Sequence, residues 1–204
     1  RATMGPMGKV VTVLNQKGGV GKTTVTLGLA AAAQRVQQRC LVVDLDPQGN
    51  ASTALGISDR HSGTPSSYEV LLGEIPVKEA VRQSPHSPLL YCVPATIDLA
   101  GAEIELVSMV ARENRLRNAL AELDEMDFDY VFIDCPPSLG LLTLNALVAA
   151  PEVLIPIQCE YYALEGVSQL MKNIGMVKAH LNPRLDVSTV VLAMYDGRTK
   201  LADQ

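Results

Sequence analysis

The chain has no tryptophan and only 2 phenylalanines among its 204 residues, so its core must be mainly aliphatic. It has no apolar run of the roughly 18 residues that a membrane-spanning helix needs, and we expect no membrane span. The few cysteines show no Cys-x-x-Cys spacing and no paired histidine, which favours buried free thiols in a reducing cytoplasm. They are Cys40, Cys92, Cys135 and Cys159. Because the formal net charge is −5, any contact with DNA must come from a local basic patch.

Most of the chain consists of apolar runs that alternate with segments of helical spacing. The apolar runs predict buried strands at Val10–Leu14, Cys40–Leu45, Leu89–Val93, Tyr130–Asp134, Val153–Ile157 and Ser188–Met194. Apolar residues at helical spacing predict helices at 22–36, 113–126, 139–149 and 162–179. We therefore predict an α/β fold of three layers, a mostly parallel twisted sheet with helices on both faces. The interval 56–88 is rich in Gly, Ser and Pro and predicts a surface excursion with one short amphipathic piece, Tyr68–Leu72.

A glycine-rich segment at residues 15–24, Asn-Gln-Lys-Gly-Gly-Val-Gly-Lys-Thr-Thr, lies between the first predicted strand and the first predicted helix. Glycines let backbone N–H groups close around anionic oxygens, and the following helix adds the positive end of its dipole. In such a loop Lys22 reaches the β- and γ-phosphates of a nucleotide, and the Thr23 hydroxyl binds Mg²⁺. The predicted nucleotide-binding residues are Lys17, Gly18, Gly19, Val20, Gly21, Lys22, Thr23 and Thr24.

Carboxylates follow two of the other predicted strands. Asp44 and Asp46 end the strand that begins at Cys40, and Asp134 ends the strand that begins at Tyr130. Ligands of open α/β sheets bind at the carboxyl ends of the strands, so these side chains are expected beside the phosphate loop. A carboxylate there suits Mg²⁺, usually through water. The alternative for each is a carboxylate that only caps the next turn.

Together these three motifs resemble the deviant Walker A ATPases, and most closely the ParA/Soj partition proteins. The position where the usual phosphate loop has its first glycine is Gln16, and a second lysine, Lys17, opens the loop instead. Segments 158–166 and 194–199 look similar to the same family.

Both ends of the chain look cut. The resemblance implies a P-loop NTPase domain over 9–204 that is truncated at its C-terminus, after a disordered N-terminal remnant at 1–8.

The resemblance also implies a mechanism with ATP and Mg²⁺ as cofactors. Asp46 positions the attacking water, and Asp134 and Thr23 hold the magnesium ion. Asp44 supports the environment of the metal and the phosphates. Lys17 contacts the phosphates of the ATP bound by a partner protomer, so the active state is an ATP sandwich homodimer. Such an added positive charge stabilises the transition state in the way an arginine finger does.

Partners follow from the same resemblance. The ATP-bound dimer is expected to bind DNA without sequence preference, with Arg198 as a DNA contact, and to associate with the nucleoid in the cytoplasm. A ParB-type centromere-binding protein is expected to stimulate a weak ATPase activity and so to drive chromosome or plasmid segregation.

Three alternatives share the phosphate loop. A MinD-like, membrane-associated positioning ATPase is the nearest of them. Iron–sulfur relatives place cysteines between subunits, and Cys135 lacks a suitable companion for that role. A scaffold that only binds nucleotide would have lost Asp46 or Lys17, and both are present. One departure from the family is Gln37-Gln38, where relatives usually have a glycine before the second strand.

Overall fold

The computed structural model describes residues 8–158 and 163–194. Within this part of the chain the strands form one seven-stranded sheet in the order β3-β4-β2-β5-β1-β6-β7. They are β1 Lys9–Val13, β2 Cys40–Asp44, β3 Arg82–Gln83, β4 Leu90–Val93, β5 Tyr130–Asp134, β6 Glu152–Gln158 and β7 Asp186–Ala193. All neighbouring strands pair in parallel except β3 and β4, which are antiparallel.

Helices cover both faces of this sheet. They are α1 Lys22–Arg35, α2 Asn50–Ala54, α3 Ser67–Leu72, α4 Val77–Ala80, α5 Leu99–Val107, α6 Arg115–Leu120, α7 Leu141–Ala149 and α8 Ala163–His180, with 3-10 turns at Arg112–Asn114 and Ala121–Met126. Side chains alternate across the strands, so Val10 and Leu14 face one core cluster while Val11 and Val13 face the other. The larger cluster packs beneath α3 to α8, and the smaller one beneath α1 and α2. The predicted three-layer α/β fold is therefore confirmed.

The core is mainly aliphatic, as the composition predicts. Val, Leu, Ile and Ala side chains dominate both clusters, and Phe128 and Phe132 are the two aromatic side chains buried there. Of the cysteines that the structure describes, Cys40, Cys92 and Cys135 are buried free thiols. No helix in the described ranges is both long and apolar enough to cross a bilayer.

The interval 56–88 is not the surface excursion that its composition predicts. Helix α3 lies within it and buries Val70, Leu71 and Leu72 in the larger core. A capping box holds the start of α3, where Ser66 and Glu69 bond each other's backbone N–H groups, and Gly73 ends the helix at φ 74°. The short amphipathic piece predicted at Tyr68–Leu72 coincides with α3, so the sequence predicted this element but not its burial in the core.

Two further predictions need correction. The predicted helix 113–126 is three short pieces, α6 between two 3-10 turns. Gly8, which we assigned to a disordered remnant, donates its backbone N–H to the Phe128 carbonyl at 3.1 Å. The other seven residues of that remnant, and the last ten of the predicted domain 9–204, lie outside the described residues.

Candidate phosphate-binding site

The glycine-rich loop connects β1 to α1 at the carboxyl edge of the sheet. Gly19 and Gly21 have φ values of 74° and 88°, a left-handed conformation that side chains disfavour. A Cβ atom added at Gly18, Gly19 or Gly21 would meet no protein atom within 4 Å. The packing of the chain therefore does not require a glycine at position 18. Open space next to the backbone N–H groups is what a bound phosphate requires.

The loop is braced from beneath by Asn15. Its amide nitrogen donates to the Pro156 carbonyl at 2.6 Å, and its amide oxygen accepts the Lys17 N–H at 3.0 Å. These bonds join the loop to the end of β6. Val20 is buried and anchors the loop at its other end. The sequence analysis assigned Asn15 no role, and a single asparagine next to a strand carries no signal that would reveal one.

Lys22 is the first residue of α1 and is only 7% exposed. Its ammonium group donates to the Lys17 carbonyl at 3.1 Å, so the side chain folds back over the loop. Burial lowers the pKa of Lys22, and the charges of Asp134 and Asp46 partly oppose that shift. A buried ammonium group is stable only with an anionic or polar partner, and a phosphate above the loop would be such a partner.

Asp134 lies fully buried beneath the start of α1. The Thr23 hydroxyl donates to Asp134 Oδ2 at 2.7 Å, and the Thr26 hydroxyl donates to Oδ1 at 3.0 Å. Burial raises the pKa of Asp134 to about 7; the neighbouring Asp44 and Asp46 charges act in the same direction, and the two hydroxyl bonds oppose them. Thr26 was not predicted as a site residue, because its position one helical turn after the loop resembles any core-facing threonine.

The Thr23 and Asp134 oxygens are the donor types that Mg²⁺ prefers. No cluster of three or more His, Cys, Asp or Glu side chains suited to a metal occurs in the part of the chain that the structure describes. A magnesium ion at this edge would thus take one carboxylate and one hydroxyl from the protein, and the remaining ligands from phosphate and water. The residues present fit that arrangement, because Mg²⁺ commonly keeps several waters.

Asp44 lies directly beside Asp134, since β2 and β5 pair in register at these two residues. The Ser52 N–H and hydroxyl both donate to Asp44 Oδ2, at 2.8 and 2.6 Å, and the Asp46 N–H donates to Oδ1 at 3.1 Å. Burial raises the pKa of Asp44. In this structure Asp44 therefore ties α2 and Asp46 to the end of β2. Its support of a metal environment stays a prediction.

Ser52 extends this buried network to the next strand connection. Its hydroxyl accepts the Ala95 N–H at 3.0 Å, just after β4, while it donates to Asp44. No sequence motif marks Ser52, because its partners lie 8 and 43 residues away along the chain. Only the sheet order brings them together.

Asp46 is half-buried at the same edge. Its carboxylate accepts the Gln48 N–H at 3.0 Å, and its carbonyl accepts the Gly49 N–H at 2.8 Å. These bonds form a turn that holds the carboxylate at the mouth of the site. Asp46 contributes to the electrostatic environment of Lys22, which places the two groups near each other.

The remaining predicted residues separate into two groups. Lys17, Gly18, Gly19 and Thr24 are exposed along the loop and the start of α1, where a ligand or a second molecule could reach them. Arg198, the predicted DNA contact, lies outside the described residues, as do 159–162 of the segment 158–166 and 195–199 of the segment 194–199.

The chain is similar to known proteins over most of its length. A family model described as an AAA domain matches residues 8–187. The chromosome partitioning protein ParA of Myxococcus xanthus is 53% identical over 199 residues, which cover 97% of this chain and 69% of that protein. The sporulation initiation inhibitor protein Soj of Bacillus subtilis is 49% identical, with 97% and 77% covered.

Solved structures show the same fold. The cobyrinic acid a,c-diamide synthase of Mycobacterium smegmatis, solved with bound ADP and magnesium, superposes with a TM-score of 0.89 at 44% identity, covering 97% of this chain and 79% of that one. A plasmid partition protein of Borrelia burgdorferi superposes with a TM-score of 0.83 at 22% identity, with 96% and 82% covered. This second likeness shows the fold alone.

Proposed function

This chain belongs to the ParA/Soj family of chromosome partitioning ATPases, and on that premise we propose that it hydrolyses ATP as a molecular switch for chromosome or plasmid segregation. The observation that carries the proposal is the convergence of Lys22, Thr23 and Asp134 beneath an open glycine loop at one edge of the sheet. Those three groups supply a cation, a metal-binding hydroxyl and a metal-binding carboxylate within one small volume.

Positioning and charge neutralisation are most of what phosphoryl transfer requires from a protein. The loop backbone and Lys22 hold the triphosphate, and Thr23 and Asp134 hold the magnesium ion that neutralises it. A magnesium ion held by these residues would offset the negative charge of the phosphates during transfer. The Mycobacterium smegmatis relative with bound ADP and magnesium supports this pair of ligands for the present chain.

Asp46 serves the attacking water in this proposal. Its carboxylate is held by the Gln48 N–H at the mouth of the site, where it accepts a hydrogen bond from water and directs the oxygen toward the γ-phosphate. Asp44 acts through Asp46, since it accepts the Asp46 N–H and fixes that turn to β2. Asp44 is thus a positioning residue.

Lys17 completes the site from a second protomer. Its position on the exposed loop suits a side chain that reaches the phosphates bound by a partner, so ATP forms part of the dimer interface. Hydrolysis then removes contacts that hold the two protomers together and resets the switch.

The ATP-bound dimer binds DNA through phosphate contacts and acts with a ParB-type partner that stimulates turnover. Because the chain carries a net charge of −5, the DNA-binding surface must be a local basic patch, to which Arg198 contributes. The rival function is that of a MinD-like positioning ATPase, which would bind anionic lipid instead of DNA.

Co-sedimentation at low salt separates the two functions. The purified protein is mixed with random-sequence DNA or with anionic liposomes, each with ATP or with ADP. We expect ATP-dependent sedimentation with DNA that falls steeply with added salt and on Arg198→Ala. Lys22→Ala is the control that removes the nucleotide response. ATP-dependent binding to liposomes without DNA binding would overturn the partition function.

A further inference from the structure

Arg60 lies between the turn that carries Asp46 and the segment that leaves β4, and no motif of the sequence includes it. Each of its three guanidinium nitrogens donates a hydrogen bond to another part of the chain. Nε donates to the Ile57 carbonyl at 3.0 Å, Nη1 to the Ala95 carbonyl at 3.0 Å, and Nη2 to the Thr53 hydroxyl at 2.6 Å. Arg60 therefore fastens α2 and the residues after it to the segment that leaves β4.

The guanidinium group also packs against the backbone of Gly49, the last residue of the Asp46 turn. Gly49 is buried and left-handed, with φ 62°. A Cβ atom added there would collide with Arg60 Nη1 and would lie 3.3 Å from the Ala95 carbonyl oxygen. Glycine has more backbone freedom than any other residue, so its conformation must be held by its surroundings. Arg60 and Ala95 are those surroundings.

A second connection reaches Gly49 through Thr53. The Thr53 hydroxyl accepts from Arg60 and donates to the Gly49 carbonyl at 2.9 Å. The Gly49 N–H donates to the Asp46 carbonyl at 2.8 Å, and the Gln48 N–H donates to the Asp46 carboxylate at 3.0 Å. The contacts thus run without a gap from Arg60 to the carboxylate of Asp46. We call the contacts of Arg60 with Thr53, Gly49 and Ala95 the Arg60 brace.

The segment that leaves β4 anchors the brace. Ala95 is fully buried, and its N–H donates to the Ser52 hydroxyl at 3.0 Å while its carbonyl accepts from Arg60. Ser52 donates in turn to the buried Asp44 at the end of β2. Arg60 therefore holds the Asp46 turn against a part of the structure that is itself bonded to the sheet.

We propose that Arg60 is a positioning residue for ATP hydrolysis, which holds the Asp46 turn where its carboxylate directs the attacking water. Arg60 does not need to touch the nucleotide, because each of its three nitrogens already has a protein acceptor. A displacement of about 1 Å at a reacting group lowers a rate by about 10²-fold. The effect on turnover rests on the proposed ATPase function, whereas the Arg60 brace itself does not.

Turnover and nucleotide affinity of Arg60→Met test the proposal. Methionine keeps an unbranched apolar stem and removes all three donors. We expect kcat to fall by about 10- to 100-fold, while the Kd for Mg·ATP changes less than about 3-fold. Steady-state phosphate release and equilibrium binding measure the two quantities.

Arg60→Lys separates the shape of the guanidinium group from its charge. Lysine keeps the positive charge, but its single ammonium group cannot replace a planar fork that donates in three directions. We expect kcat to fall by at least about 3-fold. Turnover at the level of the parent would show that charge alone suffices, and it would overturn the proposal.

Arg39→Met is the matched control. Arg39 also donates to a main-chain carbonyl, that of Met126 at 2.8 Å, and its guanidinium group lies over the Tyr91 and Phe128 rings. It directly precedes β2, so it lies at the amino ends of the strands, away from the site. Arg39→Met should lose stability, yet its kcat should change less than about 2-fold. Thermal unfolding checks that every variant is folded at the assay temperature.

A double variant tests whether Arg60 acts through Asp46. Asp46→Ala leaves no carboxylate to position, so the addition of Arg60→Met should lower the residual single-turnover rate by less than about 2-fold. A general loss of structure would instead lower that residual rate by a further factor of about 10 or more.

Amide hydrogen exchange measures the Arg60 brace without nucleotide. The N–H groups of Gln48 and Gly49 should exchange at least about 10-fold faster in Arg60→Met than in the parent, because the turn that bonds them opens more often. In Arg39→Met they should exchange as in the parent.

Other results would overturn the proposal. They are unchanged kcat in Arg60→Met, an equal fall of kcat in Arg39→Met, a further fall in the double variant, and unchanged exchange at Gly49. Loss of Mg·ATP affinity in Arg60→Met would also overturn it, since Arg60 would then serve nucleotide binding. Absence of turnover in the parent would overturn the proposed function instead, and the exchange result would still decide the Arg60 brace.

Discussion

Individual side chains in this site act mainly through buried charge. Asp134 and Asp44 lie side by side at the ends of two strands, fully buried. The Lys22 side chain folds over the loop, near enough to Asp134 and Asp46 to feel their charges. Hydroxyl and backbone donors satisfy the Asp134 and Asp44 carboxylates, so the site is held ready before any ligand is bound.

Asp46→Ala should abolish turnover while keeping nucleotide binding. The carboxylate serves the water rather than the phosphates, so kcat should fall by about 10²- to 10⁴-fold and the affinity for Mg·ATP should change less than about 3-fold. Steady-state phosphate release and equilibrium binding measure the two quantities. Asp59→Ala, at an exposed ion pair with His61, is the control. Normal turnover in Asp46→Ala would contradict the assignment.

Alanine substitutions of the two loop lysines, Lys17 and Lys22, should have different effects. Lys22→Ala removes the buried cation beneath the phosphates, so nucleotide affinity should fall by about 10- to 100-fold. Lys17→Ala should keep the affinity of the monomer, yet lose ATP-dependent dimerisation and reduce turnover by about 10²-fold or more. Light scattering with ATP and with ADP measures dimerisation. If Lys17→Ala dimerised as the parent does, the proposed contact across the interface would be wrong.

The places of the ionisable residues and the loop glycines in the fold could be predicted from the sequence, and the contacts of the small polar residues could not. Asp44, Asp134 and the loop glycines follow directly from their positions after apolar strands. Asn15 and Ser52 bond partners that are distant along the chain, so nothing in the sequence near them reveals their roles.

Some secondary-structure elements could be predicted from the sequence and others could not. Strand β5 begins and ends where its apolar run predicts, because its side chains are buried on both faces of a parallel sheet. Helix α5 was not predicted at all. The exposed Ile104 and Val107 interrupt its polar side, so the spacing of apolar and polar residues that identifies a helix is irregular there.

The end of α1 allows a test of how backbone conformation at a helix terminus affects stability. Gln37 has φ 60°, and the N–H groups of Gln37 and Gln38 bond the carbonyls of Gln34 and Ala33, which is the pattern of a glycine C-cap. Gln37 is exposed, so Gln37→Gly loses little contact and relieves the left-handed strain. We expect the free energy of unfolding to rise by about 0.5–1 kcal/mol.

Thermal unfolding measures this change. Gln38→Gly is the matched control, since Gln38 is not left-handed, and it should leave the stability unchanged or lower it. A loss of stability in Gln37→Gly would show that the glutamine makes favourable contacts that outweigh the strain.

A ligand that binds only the folded state stabilises the whole molecule. At about 100 times its dissociation constant, Mg·ATP should stabilise the protein by about 2.7 kcal/mol, which raises Tm by about 5–10 °C for a domain of this size. Differential scanning fluorimetry with and without magnesium measures the shift. Lys22→Ala should lose most of it, and an equal shift in that variant would place the nucleotide elsewhere.

The order of the strands has a consequence for synthesis on the ribosome. The phosphate loop follows β1, which emerges first. Within the described ranges β1 pairs with β5 and β6, so Lys9 can pair with Tyr130, and Val11 with Glu152, only after those residues have been added. Pairing between such distant residues is slow and cannot begin before both strands exist. A nascent chain therefore carries a complete phosphate-loop sequence that cannot hold ATP until most of the domain has been translated.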